Sequence, residues 1–246
     1  MYKKTFELAA VTLLVFFGST TLLALETARM ELPKELSAQS TRIEARGFGG
    51  WNKGTYTIGE WQGEFTRGES RLGIFDPLWV SNKGKSSFTF ASKAGGPALQ
   101  ASCRMEKGSV TVSIVTFDPK KMRYHCDFRG GGTLQAASFV MGQPKPENMK
   151  ERFLAKDLRA GEAVIGNRHI VFRSVHRYEG SAFSSQAPVG YLLQERDTVV
   201  GAVELTDWNP TMYLRNDLDA AQTESLLVVA LAIAVLRDPA DSELEE

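Results

Sequence analysis

The sequence predicts a mainly β protein: an antiparallel curled sheet or barrel with a buried C-terminal hydrophobic helix, preceded by an N-terminal membrane anchor or signal helix. Three observations predict it. Gly47, Gly49, Gly50, Gly54, Gly59, Gly63, Gly68 and Gly73 divide the start of the body into short alternating segments. Further on, Val110, Val112 and Ile114 alternate with Ser109, Thr111 and Ser113, the period-two pattern of a half-buried strand. Near the C-terminus, residues 226–236 are apolar on every face of a helix.

Residues 1–25 read as the anchor or signal segment. Lys3 and Lys4 are followed by residues 8–25 without a charge, centred on Leu13, Leu14, Val15, Phe16 and Phe17. As a helix this run spans roughly 27 Å, close to the hydrocarbon thickness of a bilayer. A cleaved signal peptide needs small residues before the cut. The best site, Leu22-Leu23-Ala24, has a large Leu where a small residue is preferred, which favours an uncleaved anchor. Either way the lysines stay in the cytoplasm and the body crosses to the periplasmic or extracellular side. If the leader is cut, the body is secreted.

Residues 26–45 read as a connector, with Pro33 followed by Ser37, Gln39, Ser40 and Thr41. A single β-rich domain over residues 46–237 follows. Its candidate strands are residues 55–60, 64–66, 71–75, 88–91, 99–105, 109–117 and 122–128. Strands resume at 162–165, 169–175, 189–195, 198–205 and 212–214. Gly166-Asn167 is a tight-turn pair, and a hairpin is expected around Arg196-Asp197. Regular spacing with turn signals favours an antiparallel sheet or barrel over alternating strand–helix units. Gly130, Gly131 and Gly132 form a flexible turn, since no Lys-Ser/Thr follows to make a phosphate loop.

The closing helix carries Leu226, Leu227, Val228, Val229, Leu231, Ile233, Val235 and Leu236. Asn216 or Asp217 is the expected cap, and Asp219 and Glu224 suit the N-terminal dipole. Its apolar part spans only about 17 Å, too short for a bilayer. A helix greasy all round and too short to cross must be surrounded by protein. In a β protein that places it inside the sheet. The acidic tail, residues 238–246, reads as disordered.

Val200-Gly201-Ala202-Val203, then Leu218-Asp219 leading into the apolar helix and Leu236-Arg237-Asp238 after it, resemble the end of the tubby-like architecture. Phospholipid scramblases and the plant LURP-one-related proteins share it. The resemblance covers about 50 residues at the C-terminus. It implies a helix threading a barrel, and implies no site, because no acidic calcium loop or phosphoinositide-binding residues match. The N-terminal anchor also departs from scramblase-like proteins, whose membrane segment lies at the opposite end.

Cys103 and Cys126 are the only cysteines. An even count in an exported protein suits one disulfide, and two unpaired buried thiols are the alternative. The strand at 109–117 is expected to lie between them, so that a simple meander would keep them apart. No Cys-x-x-Cys or His-x-x-x-His pair offers a metal site, and no cofactor motif appears. His125, His169 and His176 read as structural or exposed. Glu60 with Glu64, or Glu195 with Asp197, are the carboxylate pairs a hydrolase would use. Trp51, Trp61, Trp79 and Trp208, with Phe48, Tyr56 and Phe65, read as core, or as a binding patch where exposed together. A formal net charge of +0 gives no basic footprint for nucleic acid. The reading that emerges is a non-enzymatic envelope protein, tied to the membrane through residues 8–25, that binds lipid or a partner protein. The alternative is an exported carboxylate-dependent hydrolase.

Overall fold

A computed structural model describes residues 28–50, 52–68, 85–106, 115, 117, 123–134, 137–145 and 158–236. Consecutive strands pair antiparallel, and twelve strands close into one barrel. They are β1 (Ser40–Arg46), β2 (Lys53–Ile58), β3 (Trp61–Gly68), β4 (Lys85–Ser92), β5 (Leu99–Glu106) and β6 (Arg123–Gly130). The series continues with β7 (Ala137–Gly142), β8 (Ala160–Ile165), β9 (Arg168–Val175), β10 (Gly190–Glu195), β11 (Thr198–Glu204) and β12 (Thr211–Arg215). Each strand pairs with the next, and β1 returns to β12 with Ser40 opposite Arg215. Closure leaves no open sheet edge.

Period-two alternation decides which side chains fill the barrel. Every strand contributes to one core, from Ala45 on β1 and Ile58 on β2 through Phe65, Phe88, Ala101 and Cys126 to Met212 on β12. The same core contains the helix α2 (Ala220–Leu236), in which Ser225 to Val235 are all buried. The helix therefore threads the barrel, as its all-round apolarity predicts. Seventeen residues make it about 26 Å long. Its backbone approaches β3, β4, β11 and β12 most closely. Across β6 to β10, an aromatic chain fills the wall side: Tyr124 meets Phe139 edge-on at 5.9 Å, Phe139 stacks on Phe172 at 4.9 Å, and Phe172 meets Tyr191 at 6.3 Å. Gly161 on β8 makes room for this chain, since a Cβ there would lie 2.3 Å from the Phe172 ring.

The cap of α2 is Asp219, not Asn216 or Asp217. Asp219 Oδ1 accepts from the Gln222 N–H at 2.7 Å, and Gln222 Oε1 accepts from the Asp219 N–H at 2.9 Å. This reciprocal box satisfies two donors at the helix start.

Connections from odd to even strands leave at one end of the barrel: 47–52, 69–84, 107–122, 143–159, 176–189 and 205–210. At the other end are 59–60, 93–98, 131–136, 166–167, 196–197 and 216–219. The first is the long-loop end, the second the short-turn end. Gly166 and Arg196 take positive φ of 62° and 46° in the two expected hairpin turns. Gly130, Gly131 and Gly132 also have positive φ, and turn the chain into a short 3-10 segment, Gly132–Leu134.

Several expectations are corrected. Part of the supposed connector is the barrel strand β1, so the domain begins before residue 46. The rest of it holds a short helix, α1 (Lys34–Ala38), and lies on the outer face of the barrel. Met30 and Leu36 pack there with Val189, Ala202 and Tyr213. Strand β7 lies in a stretch where none was expected. No barrel strand separates the cysteines: β5 pairs directly with β6, with Cys103 opposite Cys126. The leader at 1–25, the candidate strand 71–75, nearly all of 109–117, Trp51, Trp79 and the tail 238–246 lie outside the described residues. Among the described residues, no helix is long and apolar enough to cross a membrane.

Candidate functional site

The cysteines form a disulfide, with Cα atoms 4.0 Å apart and both residues buried on the inward face. Directly opposed strand positions make this possible without distorting the hairpin's register.

Two polar constellations stand at the long-loop end. The first surrounds the C-terminus of α2. Arg67 shares the inward face of β3 with Phe65, and its guanidinium reaches the last helical turn. Nε donates to the Val235 carbonyl at 3.0 Å, Nη2 to the Ala234 carbonyl at 3.3 Å, and Nη1 to the Gly50 carbonyl at 3.1 Å. The same cation lies 4.4 Å from the Phe65 ring centre and 5.6 Å from that of Phe48. These rings stack on each other at 4.9 Å. Helix termini leave carbonyls without intrahelical partners, and a cation there also complements the helix dipole. Beside it, the Ser86 and Tyr124 hydroxyls share a hydrogen bond of 2.5 Å. Burial pushes the Tyr124 phenol above its ordinary value, against the lowering pull of Ser86 and Arg67.

The second constellation is centred on Glu204, which is buried at the end of β11. Its Oε1 accepts from the Met30 N–H at 2.8 Å and from the Thr206 hydroxyl at 2.9 Å. Its Oε2 accepts from the Tyr213 hydroxyl at 2.7 Å. Burial, then the Glu204 carboxylate, raise the Tyr213 pKa. The carboxylate holds the incoming N-terminal segment against the barrel wall. Backbone bonds continue the tie: the Glu31 N–H donates to the Arg177 carbonyl at 2.9 Å, and the Glu179 N–H to the Arg29 carbonyl at 2.8 Å.

Each constellation is absorbed by structural partners. The histidines and the carboxylates of the alternative hydrolase reading build no site either. His125 contacts Asp127, His169 pairs with Glu162 at 2.9 Å, and His176 lies between Ser185 and Ser174. Among the described residues, no group of three metal-ligating side chains converges. Glu60, Glu64 and Asp197 are exposed, and Glu195 pairs with Arg168 at 2.7 Å. No desolvated carboxylate pair arises from them. Phe48, Tyr56 and Phe65 are core residues, and Trp61 stacks on Phe90 at 5.8 Å. They form no exposed groove.

Among the described residues, the exposed aromatics are Phe183, 84% accessible, and Trp208, 52% accessible. Both lie in connections at the long-loop end. Sequence reading passed over Phe183, Arg67 and Glu204. Phe183 is a lone bulky apolar residue in a run of small polar ones, and Arg67 is a charge at an inward strand parity. Those are the signals that could have found them.

The fold defines a class: a closed antiparallel barrel plugged by its own C-terminal helix. No family model, curated protein or solved structure matches this chain.

Proposed function

We propose that this is a non-enzymatic envelope protein, anchored through residues 8–25 with its barrel on the non-cytoplasmic side, which binds lipid or a partner protein through its outer surface. The observation that carries the reading is the buried helix. With Ser225 to Val235 buried among inward side chains of all twelve strands, the barrel axis is occupied by protein. A ligand is then met on the outer surface or at an end rather than in a lumen. The Cys103–Cys126 disulfide supports the non-cytoplasmic side, because such bonds persist in oxidising compartments. The tie from Met30 to Glu204 supports a barrel held close to its anchor. A barrel around a C-terminal apolar helix also supports kinship with the tubby-like architecture. The hydrolase reading loses its motive, since its candidate carboxylates are solvated or paired with arginine.

Membrane fractions from cells making the full chain test this. The protein should stay with the membrane after a high-pH wash, and protease should remove the barrel only when added from the non-cytoplasmic side. Release by the wash, or protection of the barrel from that side, would refute it. Native pull-down from the solubilised membrane should then retain a lipid or protein partner, and neither being retained would remove the binding part of the reading.

A further inference from the structure

We propose that the long-loop end of the barrel is the face that meets the membrane, with Phe183 and Trp208 seated in the lipid headgroup region. This rests on the anchoring reading above. Arg29 is bonded to Glu179 at this end, and the apolar run of the leader finishes at Leu25. Four residues reach at most about 14 Å even fully extended. The segment after Arg29 then runs down the outer wall to the short-turn end, where the Asn216 N–H donates to the Gln39 carbonyl at 3.0 Å. So the chain enters the barrel at the long-loop end, and the anchor lies within that reach of it.

Among the described residues, two exposed aromatics are presented there. Phe183 stands at the tip of a small bonded loop in which Arg177 pairs with Ser184. Ser181 Oγ accepts from the Phe183 N–H at 3.1 Å, and the Ser185 N–H donates to the His176 carbonyl at 2.6 Å. Arg177 is held by Glu31 at 3.1 Å. Residues 180–188 carry no charge, so bringing this tip into the headgroups desolvates no ion. Trp208 lies in the neighbouring connection, which is joined to this one by the Leu205 N–H donating to the Val189 carbonyl at 2.8 Å. Its own N–H donates to Asp207 Oδ1 at 2.6 Å. The amphipathic ring of Trp favours the membrane interface, and an exposed Phe beside it loses water contact on entering the apolar side.

The test uses the full chain reconstituted into phosphatidylcholine vesicles with plain or brominated acyl chains. Phe183→Trp adds an emission that brominated lipid should quench, and Trp208→Phe should remove part of the quenching seen in the wild type. Both positions are exposed, so folding is checked by the retained disulfide and circular dichroism. Should the added emission stay unquenched, and Trp208→Phe leave quenching unchanged, while the chain floats with the vesicles after a high-pH wash, the proposed face is wrong and the anchor stands. A chain that does not float overturns the anchoring reading and this one with it.

Discussion

The guanidinium of Arg67 near the end of β3 donates to the Val235 carbonyl in the last turn of α2, so the barrel wall caps the helix it encloses. A second bond to Ala234 and the stacked rings of Phe65 and Phe48 fix the cation in place. Arg67→Ala removes these bonds and leaves carbonyls without a protein partner at a partly buried helix end. It should cost about 3 kcal/mol, since hydrogen bonds to charged groups contribute roughly 1.5–3 kcal/mol. Arg67→Lys should recover only part, because an ammonium lacks the planar fork. Urea denaturation of the variants followed by circular dichroism measures both; a cost below about 0.5 kcal/mol for the alanine would mean that the cap is incidental.

The disulfide constrains the unfolded chain over a loop of about 24 residues. Replacing both Cys103 and Cys126 by Ala should lower stability by about 3 kcal/mol on the chain-entropy account. Reductant should shift the wild-type denaturation midpoint in the same direction and leave the variant unchanged. Equal sensitivity of both proteins to reductant would show that the loss does not come from this bond.

Three tyrosines should make the barrel labile to alkali. Burial raises the pKa of Tyr56, of Tyr124 and of Tyr213, with Glu204 adding to the last. A folded-state pKa above the unfolded value of about 10 stabilises fully below that pH. The contribution is lost progressively as pH climbs from about 10 toward the folded value, because the unfolded chain releases its phenolic protons first. Tyrosinate absorbance should therefore rise in two stages, with these three residues ionising only as circular dichroism reports unfolding. A single smooth rise while the fold persists would contradict their burial.

Glu204 is the clasp of the N-terminal segment. Glu204→Ala leaves the Met30 N–H and the Tyr213 hydroxyl without their acceptor, at a cost of about 2–3 kcal/mol. Hydrogen exchange around residues 29–32 should accelerate far more than in β5 and β6. Uniform acceleration across the barrel would indicate a global rather than a local role.

Local pattern made much of the fold legible. The hairpin turns at Gly166 and Arg196 and the core position of α2 follow from near neighbours and side-chain polarity. Strand β1 was hidden because Ala45 is its only fully buried residue, while Thr41, Arg42 and Arg46 face solvent and look like linker. The direct pairing of Cys103 with Cys126 was hidden for the opposite reason. The alternation at 109–114 is a good strand pattern, and periodicity says nothing about which strand joins which. Arg67 and Glu204 owe their roles to Val235 and Met30, far away in the chain. No local signal names such partners. The reciprocal cap at Asp219 was missed by a few residues, since several polar side chains precede α2 and only the backbone selects among them.

Placing the helix after every strand has a consequence for biogenesis. The nascent chain makes all twelve strands before the segment that gives their apolar sides something to close around, and β1 must wait for β12 to seal the seam. Closure of the barrel around its helix therefore waits for the last segment made. A translation product cut short before Ala220 has a wall and no filling, and should be cleared by quality-control proteases rather than persist as a partial domain.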